Sequence, residues 1–113
     1  MQIIEVTDKD FKEQVLENPL PVVVDFWAPW CAPCKALAVH LKNLAEEYGD
    51  EIVIAKINVD QNRQTAMHYE VKGIPAIRAF YRGQIVNEIN GMSTTIAAQL
   101  RLLADGVIEY ASS

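Results

Sequence analysis

Val22-Val23-Val24-Asp25-Phe26-Trp27-Ala28-Pro29-Trp30-Cys31-Ala32-Pro33-Cys34-Lys35 decides the reading of this chain. Val22 to Trp27 is β-branched and aromatic and, one carboxylate apart, apolar on both faces, the pattern of a central parallel strand. It breaks at Ala28-Pro29. From the cysteines to about Tyr48, Leu37, Leu41, Leu44 and Tyr48 recur at helical spacing and form an apolar stripe, which Gly49 and Asp50 end. Ile52 to Val59 is a second buried strand, interrupted by Lys56 and Asn58. Together these elements make a strand–helix–strand unit whose crossover is expected to be right-handed.

The flanks extend the alternation. Ile3 to Val6 reads as a short strand. Asp8 is placed to cap a following helix that carries Phe11 and Val15 on one face, and Asn18, Pro19 and Pro21 stop that helix. Downstream come a short helix around Asn62 to Tyr69 and two strands, Ala76 to Tyr81 and Ile85 to Ile89, around the hairpin loop Arg82-Gly83-Gln84. A last helix, from Ser93 or Thr94 to about Ala104, presents Ile96, Leu100 and Leu103. Beyond Gly106 the pattern decides nothing.

The 113 residues are expected to form one domain, residues 1–113, with enough apolar content (50% hydrophobic) to close a core. A net charge of −5, with ten Lys and Arg scattered from Lys9 to Arg101, argues against a nucleic-acid partner. Met1-Gln2-Ile3-Ile4-Glu5-Val6 has neither a cationic start nor a long apolar run, and no stretch is long enough to cross a bilayer. The expectation is therefore a cytoplasmic protein with no membrane partner. There, two cysteines two residues apart are reactive or metal-binding rather than structural.

The cysteine motif lies where a central strand gives way to a helix, at the strand ends where open α/β sheets place their chemistry. A cysteine opening a helix meets free backbone N–H groups and the positive end of the helix dipole, both favouring the thiolate that attacks disulfides. The dipole is worth roughly 0.3–1 kcal/mol, up to ~2 when partly buried, so alone it lowers a thiol pKa by less than about two. Cys31, at the exposed start of the turn, is expected to be the nucleophile, and Cys34, one turn in, the resolving thiol. Pro33 is tolerated in the first turn and stiffens the link between the sulfurs. The alternative is half of a zinc site. Such a site normally takes four ligands, but there is no second cysteine pair, and His40 and His68 lack paired spacing.

Residues Asp25 to Lys35, Lys56-Ile57-Asn58-Val59-Asp60, Gly73-Ile74-Pro75, Gly83 and Gly91, in this order and at these intervals, resemble the thioredoxin family. The similarity runs from about Val6 to Leu103. It implies an α/β thioredoxin fold: a central five-stranded mixed sheet flanked by four helices, with Pro75 cis and facing the cysteines. It also implies that Asp25 is the acid/base for Cys34 and that Lys56 modulates it. Burial is expected to raise the pKa of Asp25. Trp27, Trp30, Ile74, Pro75, Gly91 and Met92 fall where the family binds substrate; the backbone at Ile74 would hold an extended segment by strand-like hydrogen bonds. Three positions depart from the family pattern: Ala32 for Gly, Val39 for a kinking proline, and Ala76 for Thr. They point to a stiffer turn, a straighter helix and a hydroxyl lost beside the site.

The implied activity is reduction of protein disulfides, with no metal and no cofactor and an expected monomeric state. A separate thioredoxin reductase would restore the dithiol, because no nucleotide-binding Gly-rich loop is present. A thioredoxin-like docking or co-chaperone module using the apolar collar is the alternative. It would require neither the cysteine pair nor Asp25.

Overall fold

A computed structural model describes residues 3–113. Five strands, β1 (Ile3–Val6), β2 (Val22–Trp27), β3 (Val53–Asn58), β4 (Ala76–Tyr81) and β5 (Gln84–Asn90), form one sheet in the order β1-β3-β2-β4-β5. The first three are mutually parallel, and β4 and β5 are antiparallel additions. Four helices accompany it. The first, Lys12–Leu16, is a single wide turn closed from Glu17 N–H to the Lys12 carbonyl; the others are α1 (Ala32–Tyr48), α2 (Arg63–His68) and α3 (Ile96–Ser112). A 3-10 turn, Gly49–Glu51, follows α1.

Alternation along the central strands sorts apolar residues to two cores. Val23, Ile54, Ile77 and Ala79 pack with Leu37, Leu41 and Leu44 of α1 and with Ile96, Leu100, Leu103 and Val107 of α3. Val22, Val24, Phe26, Val53, Ala55, Ile57 and Phe80 face Phe11, Val15 and Ala66 on the opposite side. There the rings of Phe11 and Tyr69 meet Phe80 edge-on at 5.7 and 5.2 Å. β2 is thus covered on both faces, as a run apolar at every position but Asp25 requires.

Three boundaries differ from the expectations. Asp8 does not cap the segment after it. Its carboxylate accepts hydrogen bonds from Gln64 N–H (3.2 Å), Thr65 N–H (2.9 Å) and the Thr65 hydroxyl (2.6 Å), capping α2 from across the molecule. Asn62, the local cap position of α2, makes no side-chain cap; its amide accepts from Asp8 N–H and donates to the Asn58 carbonyl. The hairpin loop has two residues, because Tyr81 pairs with Gln84; Arg82 (φ 49°) and Gly83 (φ 84°) supply the left-handed pair that matches strand twist. Finally, α3 begins at Ile96 and runs past Gly106 to Ser112. A Cβ at position 106 would lie 2.6 Å from Asn87 Nδ2, so the glycine lets α3 lie close against β5.

Candidate active site

The N-terminus of α1 is built around a sulfur. Cys31 leaves β2's connecting turn in an extended conformation (φ −91°, ψ 102°) and occupies the N-cap position, with Pro33 in the first turn. Its Sγ accepts from Cys34 N–H at 3.2 Å, as a capping serine oxygen would, while its own N–H donates to the Ala28 carbonyl at 3.1 Å. Cys31 and Cys34 are joined in a disulfide with their Cα atoms 5.3 Å apart.

Position in the turn distinguishes the two sulfurs, but exposure does not. Cys31 was expected at an exposed start, yet in the disulfide it is 4% accessible against 3% for Cys34. Both pack with Ala28 beneath Trp27, Val59 and Ile74. The asymmetry is electrostatic: the backbone donor at the helix start points at Cys31.

Ile74 belongs to the loop that follows α2, and its bond to Pro75 is cis. Gly91 N–H donates to the Pro75 carbonyl at 2.9 Å, and Gly91 takes φ 83°, so β5's end and the proline loop are tied together. Trp30 stands 70% exposed beside the disulfide turn, with its indole N–H fixed by Asp60 Oδ2 at 2.9 Å. Met92 is half-buried and packs against the core under α1 and α3. Next to Ile74 and Gly91 an open depression of about 680 Å³ is lined also by Lys72, Arg78 and Glu88. Neither histidine joins this group: His68 packs edge-on against Tyr69, and His40 lines a recess between α1 and α3.

Asp25 is fully buried at mid-strand, and neither carboxylate oxygen has a hydrogen-bond partner. Desolvation pushes its pKa up to about 7; the Lys56 ammonium pulls it down and the Glu5 carboxylate raises it further. Two residues along the same face, the buried indole N–H of Trp27 also lacks a partner, and the Lys56 Nζ lies 5.0 Å from the Trp27 ring centroid. The site thus combines a disulfide just beyond the end of β2 with a buried carboxyl within that strand whose pKa lies near neutrality.

The sequence did not reveal Asp60, Val59 or Glu5 as neighbours of this site. Asp60 and Val59 belong to the stretch that carries the family resemblance, but they meet the cysteine turn because β3 ends beside β2, a contact that local sequence does not state. Arg78 was equally hidden. It is 6% accessible in β4, with Nε 3.3 Å from Glu88 and Nη1 donating to the Ile77 carbonyl at 3.1 Å. An arginine on the inward side of a strand is the one signal that could have flagged it.

Among the described residues no three His, Cys, Asp or Glu side chains gather as a metal cage, and no helix is long and apolar enough to cross a membrane. The thioredoxin family model matches residues 2–102. Thioredoxin 1 of Synechococcus elongatus is 42% identical over 97 residues, covering 84% of this chain and 91% of that protein. The thioredoxin of Buchnera aphidicola subsp. Baizongia pistaciae is 46% identical over 84 residues, covering 74% and 77%. That of Acidithiobacillus ferridurans is 40% identical over 103 residues, covering 91% and 94%.

Proposed function

The chain belongs to the thioredoxin family and is a thiol–disulfide oxidoreductase acting on protein disulfides, and on that premise we propose the following division of labour among its residues. The reduced Cys31 thiolate attacks one sulfur of a substrate disulfide, giving a mixed disulfide and expelling the other substrate sulfur as thiolate. Cys34, deprotonated by Asp25, attacks Cys31 Sγ. The Cys31–Cys34 disulfide closes, the second substrate thiol leaves, and two electrons have passed to the substrate. A separate reductase returns them, so that the protein carries electrons in cellular redox homeostasis.

The observation that carries the assignment is the hydrogen bond from Cys34 N–H to Cys31 Sγ. It stabilises negative charge on Cys31, which favours Cys31 as the thiolate that opens the substrate disulfide; in the mixed disulfide Cys31 Sγ is then the sulfur that Cys34 attacks, and the substrate sulfur is the one that leaves. Asp25 supports the second step: a carboxyl with a pKa near 7 takes and returns a proton at neutral pH. Lys56 tunes it, and Pro33 holds the sulfurs within reach. Trp30, Ile74, Pro75, Gly91 and Met92 bind the substrate segment, with the Ile74 backbone pairing to it as an added strand. The protein works as a monomer in the cytoplasm, residues 1–113 forming one domain. Reduction of insulin disulfides driven by dithiothreitol tests the core of this reading. Wild type should turn over and Cys31→Ser should not, while Cys34→Ser should stop at the mixed disulfide. Undiminished turnover by Cys31→Ser would overturn it.

A further inference from the structure

Three ionisable side chains stand in one row across the sheet. Glu5 on β1 is in register with Lys56 on β3, and Lys56 with Asp25 on β2. Residues opposite each other share a face, so from the open edge inward the row reads carboxylate, ammonium, carboxyl. Glu5 is exposed, Lys56 half-buried and Asp25 fully buried. The next member, Ile77 on β4, is apolar and buried. The helices covering this face add no charge: α1 turns Cys34, Leu37 and Leu41 inward, and α3 turns Ile96, Leu100 and Leu103. Lys56 and Glu5 are therefore the charges that act on Asp25.

Register alone predicts an ion pair between Lys56 and Asp25, yet both Asp25 oxygens lack a hydrogen-bond partner. The ammonium lies 5.0 Å from the centroid of the Trp27 ring instead. Closing on Asp25 would strip water from both ions. Remaining at the half-exposed margin keeps the ammonium hydrated, on an aromatic face and one strand from the Glu5 carboxylate. We infer that Glu5 is a positioning residue for Lys56, biasing its ammonium toward the open edge of the sheet so that the Asp25 carboxylate, left without a close counter-ion, remains a base strong enough to take the Cys34 proton. Glu5 touches neither sulfur nor substrate. It acts through the lysine.

The effect has a bounded size. Adjacent strands lie about 4.8 Å apart, which puts Glu5 about 10 Å from Asp25, near the screening length at 0.1 M salt. The direct interaction over that distance is worth only about 0.2 pH unit, less in salt, so the larger part of an expected shift of about half a pH unit at low ionic strength comes from releasing Lys56 toward Asp25.

This inference rests on the reading of Asp25 as the proton-handling group, and its test separates the two. The oxidised full chain, ¹³C-labelled at aspartate carboxyls, is titrated by NMR at low ionic strength. Glu5→Gln should lower the Asp25 midpoint by about half a pH unit, Glu5→Asp should leave it in place, and Lys56→Met should raise it. In the Lys56→Met background, Glu5→Gln should move it less than half as far, the coupling expected if the lysine relays the effect. An unmoved midpoint in Glu5→Gln, or an equal shift with and without Lys56, would overturn the inference. The role of Asp25 itself is read apart, from the rate at which Cys34 resolves the mixed disulfide in Asp25→Asn; an unchanged rate there would fail the mechanism and leave the titration result standing.

Discussion

Cys34 N–H points at Cys31 Sγ across 3.2 Å, and among the described residues no equivalent backbone donor accompanies the Cys34 sulfur. The donor belongs to the helix N-terminus and not to the S–S bond, so the same contact is expected in the reduced protein.

Reduced protein should therefore alkylate first at Cys31. A charge-assisted N–H bond together with the helix terminus is worth about 1.4 kcal/mol or more, which corresponds to about tenfold in thiolate population. Mass mapping after brief iodoacetamide treatment at neutral pH should find Cys31 modified about tenfold faster than Cys34. Cys34→Ser keeps the donating N–H and should keep most of the Cys31 rate. Equal labelling of both cysteines would remove the electrostatic distinction.

The sheet was legible because β2 states its own environment: six residues with no solvent face fit only the middle of a parallel array. The Leu37, Leu41 and Leu44 stripe likewise fixed α1 and its inward face. The cysteine site was legible because motif and strand end coincide. What stayed hidden depends on partners distant in sequence. Asp8 carries the signature of a local cap, yet its receptors lie 56 and 57 residues away. Glu5 reads as the polar half of an edge strand until register sets it beside Lys56. Beyond Gly106 the pattern leaves the end of α3 open; in the fold Val107 and Ile108 pack on the core, and that burial outweighs the cost of about 1 kcal/mol in helix propensity at the glycine.

Asp8 should behave as a cap for a helix it does not belong to. Asp8→Ala removes three hydrogen bonds at once and should cost about 1–2 kcal/mol in urea unfolding, and Asp8→Asn about half of that. Slight burial works to raise the Asp8 pKa, but the bonds from Thr65 and Gln64 win and hold it below the ordinary carboxylate value. The folded value is depressed, so this contribution is present above about pH 4 and fades as pH falls through the folded pKa. A wild-type-minus-Asp8→Ala difference that persisted undiminished at the lowest pH would contradict the cap.

Arg78 occupies an inward position between Ala76 and Phe80, and its side chain is 7% exposed while that of Glu88 is 54% exposed. Burying the guanidinium forfeits hydration that a half-solvated partner only partly restores. Arg78→Leu should leave stability unchanged or raise it by about 1 kcal/mol, whereas Glu88→Ala, which strands the guanidinium, should lower it by about 1 kcal/mol. Paired denaturant titrations decide this. A loss of more than about 2 kcal/mol in Arg78→Leu would mean that the bonds to the Ile77 and Ile89 carbonyls hold β4 together.

Asp25 should make the oxidised protein less stable as pH rises. Its folded pKa of about 7 lies above the ordinary value of 3.8, so between these limits the folded state binds the proton that the unfolded chain releases. Stability is greatest below about pH 4 with respect to this group and is lost progressively as pH rises through 7. Three pKa units correspond to at most about 4 kcal/mol, and relaxation around a carboxylate formed in the fold reduces that figure. Asp25→Asn deletes the titration. Its stability should exceed that of wild type by about 2–4 kcal/mol at pH 8.5, and the gap should shrink toward pH 4. Denaturant unfolding at both pH values measures the difference. A gap independent of pH would mean that Asp25 is already ionised in the fold, and its place as proton donor and acceptor for Cys34 would fall with it.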